Sequence, residues 1–129
     1  MELPNTLVDV YGEERSHDFH HVMRASVIMD YNASHFRYFA DRIKGATVME
    51  IGCGTGVFLE AALERGASKA YGVDVSNEML AIANSAIEAR GLSMEVSLGD
   101  CFKEKIVHDA GPFDYVSANF VAVYVPDME

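Results

Sequence analysis

The chain has 129 residues, half of them apolar and 23% charged, which is the balance of one folded domain with a single core. Twenty acidic against ten basic side chains leave a net charge of -10 with no basic cluster, so nucleic acid and anionic membrane are poor partners and a small or cationic ligand suits the chain better. Cys53 and Cys101 are far apart and make no CxxC, the N-terminus lacks the basic start and apolar block of a secretory signal, and the longest apolar run, 120–126, is far shorter than the roughly 20 residues of a membrane span, so a cytoplasmic protein is expected.

Residues 1–33 show no clean period and read as a partly helical lead-in or lid. His17, His20 and His21 with Asp18 have no partner cluster elsewhere in the sequence, so they read as exposed side chains and no metal site is expected. From Ser34 the apolar residues Phe36, Phe39, Ala40 and Ile43 recur at helical spacing, with Ser34 placed to cap the start and Gly45 just past the end.

The period then changes. Thr47 to Ile51 is a short apolar run closed by glycines, and 57–65 follows as a helix with Leu59, Ala62 and Leu63 on one face and Gly66 as its stop. Residues 70–75 form a second strand, and Ser76 opens a long helix whose inner stripe is Met79, Leu80, Ala83, Ala86 and Ile87, ended by Gly91. Met94 to Leu98 is a third strand, and 113–118 a fourth after the turn signal Gly111-Pro112. Strands alternating with helices predict, for residues 34–129, an α/β domain built on an open, doubly wound parallel sheet with helices on both faces.

The most informative stretch is VMEIGCGTG at 48–56, a strand running into Gly52, Gly54 and Gly56 at alternate positions and then a helix. One glycine is explained by a tight turn. Three at spacing two before a helix N-terminus point to a loop whose backbone lies close to a ligand. The dinucleotide fingerprint puts its third glycine where this chain has Val57, and the triphosphate loop needs a lysine that is missing between Lys44 and Lys69. Glu50, at the C-terminal end of the first strand, would repel a pyrophosphate and welcome a cation. Asp74 stands about 20 residues beyond the loop, the spacing at which a strand-end carboxylate meets a ribose. Its alternative task is to cap the following helix, for which Ser76 is better placed.

The segment EIGCGTG resembles the first motif of class I S-adenosylmethionine-dependent methyltransferases, and the following motifs come in that family's order. The resemblance implies a Rossmann-like sheet of order 3-2-1-4, S-adenosylmethionine as cofactor, and methyl transfer to an acceptor. It assigns Glu50, Gly52, Cys53, Gly54 and Gly56 to the loop motif, and Asp74 to the ribose hydroxyls. Val75 would pack on the adenine with Met79 nearby, Asp100 would accept from the adenine amino group, and the backbone of Cys101 would donate to the ring. Asn119 would stand at the end of the fourth strand near the transferred methyl, while Asp114, which begins that strand, reads as structural. No catalytic base is assigned, because the sulfonium leaving group asks of the protein mainly orientation.

The resemblance spans about residues 34–126, and family members carry further strands for which no sequence follows Glu129. The chain therefore reads as the N-terminal, cofactor-binding part of such an enzyme, acting on a small-molecule acceptor. A non-catalytic or partner-dependent binding module is one alternative, and a nicotinamide-dependent oxidoreductase is a second. With the order 3-2-1-4 the fourth strand is an open edge, followed by the apolar segment 120–125, and self-association through that edge is expected.

Overall fold

The computed structural model describes residues 42–100 and 111–118, together with His17, which is exposed. The remaining lead-in, the expected helix up to residue 41, Cys101 and Asn119 lie outside the described residues. Within them, four strands, β1 (Thr47–Ile51), β2 (Lys69–Asp74), β3 (Met94–Leu98) and β4 (Tyr115–Ser117), alternate with two helices, α1 (Val57–Glu64) after β1 and α2 (Asn77–Arg90) after β2. All pairings are parallel and the order is β3-β2-β1-β4, as the alternation and the family pattern imply.

Period-two alternation divides the sheet's side chains between two faces. Val48, Ala70 and Met94, paired across neighbouring strands or through β2, belong to one core with Cys53, Leu59, Ala62 and Leu80, so both described helices cover that face. Met49, Tyr71 and Val73 are buried on the opposite face, with the Phe113 ring tilted against that of Tyr71 at a centroid distance of 5.2 Å. Burial on both faces is what a doubly wound sheet requires of its central strands.

Local chemistry fixes the element ends. Ser76 is extended, with φ -100 and ψ 113, and its Oγ accepts the Met79 N–H at 3.2 Å, which starts α2 in the capping geometry its sequence predicts. Asp114 proves structural. Its carboxylate accepts from the Thr47 N–H at 2.8 Å, and its own N–H donates to the Thr47 carbonyl at 3.0 Å, clamping the start of β1 to the lead-in of β4. The ladder with β1 runs over Tyr115–Ser117 alone, so β4 is three residues long instead of the six expected. The buried face of α1 is also wider than its Leu59-Ala62-Leu63 stripe suggests. Val57, Phe58 and Glu60 are buried as well, and Glu60 pairs with Arg90 at the last turn of α2. The acidic side chain that the sequence places on the polar side of α1 is thus buried and met by a cation from α2. Among the described residues no helix is long and apolar enough to cross a membrane.

Candidate functional site

The parallel register brings the C-terminal ends of the strands to one edge of the sheet, and the order reverses on either side of β1: β2 lies to one side, β4 to the other. In open α/β sheets this switch point is where ligands bind. Over it runs the loop joining β1 to α1, with Gly52, Gly54 and Gly56 at φ 69, 55 and 81. All three adopt left-handed backbone that residues with a Cβ enter only at a cost, so their alternate spacing in the sequence is a conformational requirement.

The loop is tied down by β2. The N–H groups of Gly52 and Cys53 both donate to the Val73 carbonyl, at 2.8 and 3.0 Å, and the Gly54 N–H donates to Asp74 Oδ2 at 2.8 Å. Asp74 Oδ1 accepts the Ser76 N–H at 2.9 Å, and the Asp74 carbonyl accepts the Gly99 N–H at 2.9 Å. The glycine loop, the start of α2 and the end of β3 therefore converge on one residue. Burial raises the Asp74 carboxyl above its usual range, and the N–H groups of Ser76, Gly54 and Val75 oppose that rise.

Glu50 is 3% exposed and shares its register row with Gly72 on one side and Ser117 on the other. It is an inward-facing carboxylate, not a solvent-facing one. Asp100 is half-buried just beyond β3, Val75 is half-buried beyond β2, and Met79 is buried in the first turn of α2. The side chain of Cys53 turns into the core, where it adjoins Gly72 and Leu59. Burial, then the charges of Glu50 and Asp74, push its thiol far up, so it is no nucleophile. Among the described residues no cluster of His, Cys, Asp and Glu has the makings of a metal site.

Two features escaped the sequence reading. Ser117 Oγ is buried with no hydrogen-bond partner among the described residues, in register with Glu50, a neighbour relation visible only once β4 is known to pair with β1. Gly72, within β2, is the floor beneath the loop. A Cβ there would lie 2.6 Å from Cys53 Sγ and 2.8 Å from Leu59 Cδ1.

Comparison with known proteins agrees with this geometry. The methyltransferase domain family model matches residues 48–129, and the chain belongs to that family. Ribosomal protein L11 methyltransferase of Salmonella arizonae is 36% identical over 80 residues, which cover 62% of this chain and 26% of that protein. The crystal structure of an S-adenosylmethionine-dependent methyltransferase from Mesorhizobium loti superposes with a TM-score of 0.57 at 32% identity, covering 66% of this chain and 38% of that one. Magnesium protoporphyrin IX methyltransferase from Synechocystis, solved with bound SAH (S-adenosylhomocysteine), shares the fold with a TM-score of 0.61 at 24% identity, over 75% of this chain and 44% of its own. The chain spans between 26% and 35% of the length of three curated relatives it matches. Family and fold therefore favour the S-adenosylmethionine class over the nicotinamide-dependent alternative.

Proposed function

We propose that this chain binds S-adenosylmethionine and forms the cofactor-binding part of a methyltransferase. The observation that carries the reading is the loop of three left-handed glycines whose central N–H is held by the strand-end carboxylate of Asp74. The donor set suits this cofactor and not a dinucleotide. Asp74 suits the ribose of either kind of cofactor, and Glu50 discriminates, since a carboxylate beside the loop would repel a pyrophosphate and attract a ligand with a sulfonium and an ammonium.

In this reading Gly52, Gly54 and Gly56 let backbone approach the amino-acid end, and Glu50 supplies negative charge behind it. The side chain of Cys53 is committed to the core, so its part is to hold the loop's backbone in place. Asp74 accepts from the ribose hydroxyls, Val75 packs on the adenine with Met79 behind it, and Asp100 with Cys101 reads the adenine edge. Asn119 would lie beside the transferred group. When bound, the cofactor supplies a methyl group on a positively charged sulfur, which departs as a neutral thioether when an acceptor lone pair takes the methyl. The protein's contribution is then to hold the two partners in line and keep water out, and no general base is assigned.

For the acceptor we favour a small molecule, on the strength of the net charge of -10. The name of the Salmonella relative makes a ribosomal protein the first macromolecule to include in an acceptor panel. Calorimetric titration with S-adenosylhomocysteine and with NAD tests the cofactor assignment. Saturable binding of the first alone is expected, and binding of NAD in its place would overturn the reading. Turnover on an acceptor panel then separates an enzyme from a module that holds the cofactor without using it.

A further inference from the structure

We infer that Asp74 is also a positioning residue for the glycine loop, so that one carboxylate couples the site's hold on the nucleoside to its hold on the amino-acid end of the ligand. This deepens the cofactor reading above and rests on it.

A stretch with glycine at 52, 54 and 56 has unusual backbone freedom to lose, so it takes up one conformation only if tethered. Its entry is tethered by the Val73 carbonyl, through the N–H groups of Gly52 and Cys53, and its exit by the Gly56 N–H to the Cys53 carbonyl at 3.0 Å. Between them Gly54, at φ 55, donates its N–H to a side chain, Asp74 Oδ2, across 20 residues of sequence. The anchor is charged when Asp74 is ionised, and hydrogen bonds to charged groups are the stronger kind.

The anchor does not use up the carboxylate. An ionised carboxyl offers about four lone-pair positions, and the Gly54 and Ser76 N–H groups occupy one on each oxygen. The Val75 N–H also acts on this carboxylate, so acceptor capacity remains for a ribose hydroxyl without giving up the Gly54 anchor. Asp74 thus serves both tasks at once, and its other ties, Ser76 at the start of α2 and Gly99 at the end of β3, fix the direction in which it points.

The test has a ligand-free and a ligand-bound arm. In the first, amide hydrogen exchange is followed by NMR in wild type, Asp74→Ala and Asp74→Asn, the last keeping side-chain shape while leaving one acceptor for two N–H groups. Protection of Gly54 should fall by roughly tenfold to a hundredfold in Asp74→Ala, the loss expected for a bond to a charged group, while β1 amides keep theirs. In Asp74→Asn either Gly54 or Ser76 should lose protection. Ser76→Ala, which removes the α2 cap and not the anchor, should lower protection generally without singling out Gly54.

In the second arm, S-adenosylhomocysteine is compared with 5′-methylthioadenosine, which keeps the ribose and lacks the amino-acid end. A residue that only binds ribose would weaken both ligands by the same factor on Asp74→Ala, the variant that removes the anchor outright. One that also shapes the loop weakens S-adenosylhomocysteine more, by at least about threefold. Unchanged Gly54 exchange in both Asp74 variants, or equal loss for the two ligands, overturns the inference. Failure of wild type to bind either ligand would instead overturn the cofactor reading, and the exchange arm would still judge the loop.

Discussion

Replacing Gly72 by alanine tests how the loop is supported. The added Cβ would lie 2.6 Å from Cys53 Sγ, 2.7 Å from Cys53 Cβ and 2.8 Å from Leu59 Cδ1, all well inside ordinary van der Waals contact. Neither neighbour is free to retreat. The Cys53 N–H is bonded to the Val73 carbonyl of the same strand that carries Gly72, and Leu59 is fully buried. Overpacking of this kind costs about 1–3 kcal/mol, and the three simultaneous contacts place Gly72→Ala toward the upper end. The stiffer unfolded chain gives back about 0.5–1 kcal/mol, leaving a net loss near 2 kcal/mol. Urea unfolding should show it as a lower midpoint at unchanged slope. Because the pressure falls on Cys53, beside Gly54, affinity for S-adenosylhomocysteine should fall as well. Gly91→Ala is the control: its φ of 61 carries strain but its site is open space, so stability should drop by about 1–2 kcal/mol with affinity intact. A Gly72→Ala protein as stable as wild type, binding as tightly, would refute the view that this glycine is the loop's floor.

Four further outcomes are expected. Because burial raises the folded-state pKa of Asp74 above its unfolded value, the folded protein binds the extra proton between the two; the stability of wild type relative to Asp74→Asn should therefore be greatest below about pH 4 and decline as pH rises through the folded titration, in denaturation series at several pH values. A ligand that donates to the ionised carboxylate should bind more tightly as pH rises through the same window and release protons, read by calorimetry in buffers of different ionisation enthalpy. The Cys53 thiol, buried and held protonated, should react with iodoacetamide in native protein far more slowly than in urea when its peptide is mapped, and equal rates would refute its place in the core. Ser117→Ala removes a buried hydroxyl with no partner among the described residues and should raise stability by about 1 kcal/mol in the absence of ligand, whereas a loss of that size would mean the hydroxyl is satisfied in solution.

Patterns carried by neighbouring residues were readable in advance. Thr47–Ile51 and Met94–Leu98 begin and end where their apolar runs do, Ser76 caps α2 as a serine before a helical stripe should, and the alternate glycines of the loop all take the backbone that glycine favours. Local periodicity and side-chain chemistry set these features, and both are written in consecutive residues. The strand order followed from strand–helix alternation only with the family pattern beside it.

Relations across the sheet belong to the tertiary structure alone. Glu60 carries a charge on what reads as an exposed position of α1, yet it is buried and paired with Arg90, 30 residues later in α2. The Cys53 side chain stands in the loop motif yet faces the core, since the loop folds back over Gly72, whose missing Cβ makes the room. Ser117 is brought beside Glu50 by the β1–β4 register, and Asp74 holds Gly54 as well as standing at a strand end. Each of these depends on which distant segments come within a few ångströms of each other, and that is decided by packing of the whole domain, not by the period of any one segment.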